Sequence, residues 1–194
     1  MRADYAVLLD ANVIATFGVF DLFLRLSEDP RLLLPKWTDE ILGEAKRTYT
    51  EKLKNKWEPA RVDRMFAEAR RVFPEAWITG YERLVPCCSN DEKDRHVLAA
   101  AIKGQVQTIV TFNLRDFREA DLSPWEVVAV HPSEYLVTLF GHSQGIVVDR
   151  LNDIASARQL TVEEVVSRLG RNVPGFAVHL SGELGWELDQ TSWN

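Results

Sequence analysis

The chain has 194 residues, 46% hydrophobic and 27% charged, the make-up of an ordinary globular domain, which excludes a disordered or fibrous chain. A chain of this length removes about 70% of its unfolded surface from water on folding, so neither disulfides nor a structural metal is required. Lys and Arg number 23 against 29 Asp and Glu, a net charge of -6 that excludes indiscriminate coating of nucleic acid and leaves room for a local basic face.

The start, Met1-Arg2-Ala3-Asp4, leads into an apolar run broken by Asp10 and again by Asp21. That suits neither a signal-peptide core nor a membrane span, and the expected location is the cytoplasm. Tyr5-Ala6-Val7-Leu8-Leu9 has no polar face and reads as a buried strand that stops at Asp10-Ala11-Asn12. Helical spacing follows in Phe20, Leu22, Phe23, Leu24 and Leu26; Pro30 breaks it, and Leu32-Leu33-Leu34-Pro35 suits a second short strand. Thr38 is placed to cap a helix with Asp39 and Glu40 in its first turn and Ile41, Leu42, Ala45 and Tyr49 on its apolar stripe. At about 100° per residue Glu44 borders that stripe, where a carboxylate can face a cleft, and Glu40 falls farther towards solvent.

From Lys46 to Arg71 stand Lys46, Arg47, Lys52, Lys54, Lys56, Arg61, Arg64, Arg70 and Arg71, against Glu51, Glu58, Asp63 and Glu68. This segment is either a solvated helix pair with Val62, Met65, Phe66 and Ala69 inward, or an arm that faces a polyanion. Cys87 and Cys88 are adjacent, which rarely permits an unstrained disulfide, and both read as small buried packing groups. Asn90 is the expected cap of a helix with Asp91, Glu92 and Asp94 in its first turn, Val97, Leu98, Ala101 and Ile102 on its stripe, and Gly104 at its end. Asp91 and Asp94 share a face; His96, about 200° round from Asp94, reads as structural. Thr108-Ile109-Val110-Thr111-Phe112 is a buried strand that ends in Asn113-Leu114-Arg115-Asp116, and Val127-Val128-Ala129-Val130 supplies another. The alternation predicts an α/β fold on a parallel sheet. Beyond Gly141, Ile146 to Ala157 and the segment opened by Thr161-Val162-Glu163-Glu164 and closed by Gly170 read as amphipathic helices, and the stretch with Gly182, Gly185, Trp186 and Trp193 has no strong period.

In open α/β sheets, ligands bind beyond the carboxyl ends of strands. Asp10 with Asn12 stands at one such end and Asn113 with Asp116 at another; Asp94 and Glu44 lie on helices that flank the same sheet. Carboxylates gathered closely cannot all stay ionised without a cation. Oxygen-only ligands select a hard ion, Mg²⁺ or Mn²⁺, and no Cys/His spacing suits zinc. Metal-activated water is then the economical chemistry.

Leu8-Leu9-Asp10-Ala11-Asn12-Val13, Glu40-Ile41-Leu42-Gly43-Glu44, Asp91 through Ala101 and Ile109 through Phe117 resemble, in order, the four motifs of PIN-domain ribonucleases. The subgroup is similar to the VapC toxins of toxin-antitoxin pairs, over roughly residues 5 to 135. The resemblance implies a three-layer α/β/α nuclease domain over residues 1–141, with 142–194 as a small mainly helical extension. It implies that Asp10, Glu44, Asp94 and Asp116 are catalytic and hold Mg²⁺ or Mn²⁺, with Asn12, Thr111 and Asn113 supporting them beside Asp91. Many relatives carry an aspartate where this chain has Asn113, which removes one charge and favours one metal over two. Lys46, Arg47, Arg95 and Arg115 are the expected RNA contacts. An RNA substrate, a cognate antitoxin and a homodimer are the implied partners, with translation inhibition as the outcome. Two rivals differ in class: a degenerate module that binds RNA or protein without cutting, and a small-molecule phosphatase, which wants an acid where position 12 is Asn.

Overall fold

The structure is a computed structural model that describes residues 5–53, 56–191 and 193. The opening Met1-Arg2-Ala3-Asp4 and Lys54 of the basic segment lie outside the described residues. In chain order the strands are β1 (Ala6–Leu9), β2 (Leu34–Lys36), β3 (Thr108–Val110) and β4 (Val128–Val130). The helices are α1 (Ala11–Ile14), α2 (Phe17–Leu26), α3 (Asp39–Arg47), α4 (Pro59–Val72), α5 (Arg95–Lys103), α6 (Glu119–Leu122), α7 (Pro132–His142), α8 (Gln144–Arg158), α9 (Val162–Gly170) and α10 (Pro174–Leu184).

Two compact units form. One takes Tyr5–Ala15 and Leu34–Val130, and the other takes Thr16–Leu33 with the chain from His131 onward. The first holds a four-stranded, all-parallel sheet in the order β2-β1-β3-β4, so the expected α/β class with a central parallel sheet is what this sequence builds. Val7, Leu8 and Leu9 of the inner strand β1 are fully buried, which is why the segment reads as an unbroken apolar run. β2 begins two residues later than its sequence suggested: Ala6 pairs with Leu34 and Val7 with Pro35. Pro35 has no N–H for a ladder, and it is tolerated because β2 is an edge strand. Between β1 and β3, Leu9 pairs with Val110, and this register sets the next residues, Asp10 and Thr111, side by side at the carboxyl end.

Thr38 caps α3 as expected, its Oγ1 accepting from the Ile41 N–H at 3.1 Å. Asn90 does not cap a helix. Asp91 accepts from the Lys93 N–H at 3.1 Å and opens a tight 3₁₀ turn over Glu92–Asp94, so α5 starts only at Arg95. Of the two cysteines only Cys88 is buried; Cys87 is exposed at the end of the 3₁₀ segment Glu82–Cys87.

In the second unit α2 packs on α8 and α9, and α7 packs on α8 and α10. Asp21 joins α2 to α8, accepting from Arg158 at 2.6 Å. The capping box at Thr161 forms in full. α10 occupies a stretch whose sequence showed no strong period; its stripe is Val173, Phe176, Ala177 and Leu180, all fully buried. Pro174 in its first turn and Gly185 at φ 68° mark its two ends. Among the described residues no helix is long and apolar enough to cross a membrane.

Candidate active site

The register of β1 and β3 produces a connected polar network. Asp10, 4% exposed, ends β1 and caps α1: its Oδ1 accepts from the Ala11 N–H at 2.6 Å. Its Oδ2 accepts from the Thr111 hydroxyl and from Asn12 Nδ2, both at 2.6 Å. Asn12 reaches across to β3 as well, donating to Thr111 Oγ1 at 3.0 Å and accepting the Phe112 N–H at 3.1 Å. Thr111 Oγ1 also accepts the Asn113 N–H at 3.0 Å. The network continues through Asn113 Nδ2, which donates to Asp116 Oδ2, and through Arg115 Nε, which donates to Asn113 Oδ1 at 3.0 Å. Five of the sequence-predicted site residues and Arg115 thus lie in one chain of contacts.

Asp94 has no hydrogen bond in this network, and charge ties it in. Burial, then the charges of Asp10 and Asp116, push its carboxyl up to about 6. Burial also raises Asp10, against the hydrogen bonds from Thr111 and Ala11, and the Glu44 charge raises it further. Carboxylates from four separate stretches of chain therefore feel one another. Glu44, on α3, lies between Arg47 Nη2 at 3.7 Å from Oε1 and His96 Nε2 at 3.6 Å from Oε2. Asp91 is exposed, and its carboxylate serves as the cap of the Glu92–Asp94 turn; its N–H donates to the Asp116 carbonyl at 3.4 Å.

The basic residues are distributed differently. Arg95 Nε donates to the Asn90 carbonyl at 3.3 Å. Lys46 pairs with Asp63 of α4 at 2.5 Å. In α4, Arg70 pairs with Asp39 at 2.6 Å and Arg71 with Glu68 at 2.6 Å, so part of the positive excess is neutralised within the unit. Lys52, Lys56, Arg61 and Arg64 are exposed with no carboxylate partner among the described residues.

His96 is the group that sequence reasoning set aside. A helical wheel turned it away from the acidic face, but Asp94 belongs to a 3₁₀ turn and not to α5, so the 100° step fails across that junction. The ring is buried beside Glu44. Burial lowers its pKa, yet the neighbouring Glu44 carboxylate, with Glu40 and the Lys93 backbone, raises it overall.

The donor set fits a hard divalent cation in its chemistry, since the acidic groups offer oxygen alone and their mutual repulsion calls for a positive charge. Among the described residues, however, no group of three or more His, Cys, Asp or Glu side chains is drawn together closely enough to hold an ion.

A PIN-domain family model matches residues 6–115 of this chain. A Mycobacterium tuberculosis protein named "Putative ribonuclease VapC50" is 31% identical over 135 residues, covering 68% of this chain and 77% of its own length. No solved structure matches the chain.

Proposed function

Starting from the chain's membership of the PIN-domain family of VapC-like ribonucleases, we propose that it is a metal-dependent endoribonuclease in which Asp10, Glu44, Asp94 and Asp116 hold Mg²⁺ or Mn²⁺. The observation that supports this reading is the hydrogen-bonded network that gathers Asp10, Asn12, Thr111, Asn113 and Asp116 at the carboxyl ends of β1 and β3, with burial and the charges of Asp10 and Asp116 raising Asp94 beside it. When bound, the cation neutralises charge at the phosphorus centre and lowers the pKa of the attacking water.

The chain's own residues do the positioning. Thr111 and Asn12 occupy Asp10 Oδ2 and leave lone-pair capacity on Oδ1. Asn113 orients Asp116, and Asp91 sets the turn that presents Asp94. Arg95 and Arg115 flank the acids, with Arg47 and Lys46 along α3, and give the phosphate backbone a positive path to an acidic centre. The exposed Lys52, Lys56, Arg61 and Arg64 extend it.

In this reading the protein is the toxin of a toxin-antitoxin pair that acts on RNA in the cytoplasm to inhibit translation. Residues 1–141 carry the nuclease domain, and the helices of 142–194 serve a cognate antitoxin or a second copy of the chain. A phosphatase with Asp10 as nucleophile is disfavoured, because no acid stands at position 12, where this chain has Asn.

Single-stranded RNA is expected to be cut in Mn²⁺ and spared in EDTA, with Asp94→Asn slower by about 100-fold or more. RNA binding without any metal-dependent product, unchanged by Asp94→Asn, would leave a binding module and end the nuclease reading.

A further inference from the structure

We propose that His96 is a positioning residue: its Nε2–H holds the Glu44 carboxylate and sets that side chain against Asp10 and Asp94. The proposal rests on the nuclease reading above. His96 is the second residue of α5, with a side chain only 8% exposed. Its Nε2 is shut off from water and makes no hydrogen bond, yet Glu44 Oε2 stands 3.6 Å away, the one carboxylate within ion-pair reach of the ring among the described residues. A buried polar atom without a partner is rare enough to require a reason. Here the reason is a carboxylate a few tenths of an ångström beyond hydrogen-bond length.

Glu44 needs such an anchor. Its side chain turns about three torsions on a helix surface and is about a third exposed. The other group beside it, Arg47, comes from the same helix and is 59% exposed, so it moves with solvent and fixes nothing. The imidazole is held by burial and comes from a different element. The same helix end places both acids: Asp94 stands at the N-cap of α5 directly, and Glu44 is referred to α5 through the ring two residues on.

Two substitutions separate positioning from packing. His96→Gln keeps an amide N–H near the place of Nε2, and His96→Leu fills the space with no donor. Mn²⁺ affinity is measured by calorimetry on the full chain, and kcat and KM for RNA are measured separately. His96→Leu is expected to weaken Mn²⁺ binding about tenfold or more and to lower kcat with KM for RNA unchanged, with His96→Gln recovering most of both. In a Glu44→Gln background, His96→Leu is expected to add nothing further. If His96→Leu does not fold, His96→Asn replaces it, its amide being too short to reach Glu44. Wild-type Mn²⁺ affinity and kcat in the donor-less variant, or equal damage with and without Glu44, would overturn the proposal. Loss of metal-dependent cleavage in the unmodified protein sinks the nuclease reading itself, a distinct outcome.

Discussion

Thr111 carries three polar contacts on one hydroxyl: it donates to Asp10, and it accepts from Asn12 and from the Asn113 N–H. It is fully buried, so no water can replace those partners. Thr111→Val keeps the shape and orphans them, at an expected cost of about 1–3 kcal/mol; Thr111→Ser keeps the hydroxyl and is expected to stay near wild type. Urea denaturation of both variants measures the difference, and equal midpoints would refute the network's part in stability. Asp10, Asn12 and Asn113 were singled out in the sequence because they follow apolar runs with the pattern of buried strands, whereas Thr111, inside the second run, was named only through the resemblance to PIN-domain motifs. His96 was not, because reading its direction required knowing that a 3₁₀ turn interrupts the helix before it.

Helix ends supply the next scale. His131 caps α7, its Nδ1 accepting the Ser133 N–H at 3.1 Å, a role open only to the neutral ring. Burial lowers its pKa below the ordinary 6.5 despite the opposing charge of Glu134. A lowered folded-state value means the contribution is present above about pH 6.5 and lost as pH falls through the depressed pKa. His131→Asn, which caps without titrating, is therefore expected to lose less stability than wild type between pH 7 and pH 5, as read by urea midpoints at the two values; identical losses would count against the cap. At α9 the capping box predicts a cost of about 1 kcal/mol for Thr161→Ala by the same measurement. α9 ends at Gly170, where an added Cβ would fall 2.1 Å from the Trp193 ring, whose Nε1 donates to the Ser167 carbonyl at 2.6 Å. Gly170→Ala is expected to displace Trp193 and to cost about 1–3 kcal/mol, visible as a shift in tryptophan emission; an unchanged spectrum would show that the ring is not held there. The box was readable in four residues, whereas the Gly170 contact was not, since it joins positions with no common period.

For the molecule as a whole, a cation that binds only the folded chain adds stability by mass action, about 2.7 kcal/mol at a free concentration one hundred times its Kd. Mn²⁺ is therefore expected to raise the Tm of the wild type, and to raise it far less in Asp10→Asn; a rise of the same size in both would place the ion elsewhere. The α/β class and the parallel sheet followed from sequence alone, because apolar periodicity is a local property of a few neighbouring residues. Which residue of β1 faces which of β3, the late start of β2, the helix at α10 and the meeting of His96 with Glu44 were decided only when the chain packed. Register and burial are set by partners far away in sequence, and a side chain's neighbours across a fold leave no mark on its own spacing.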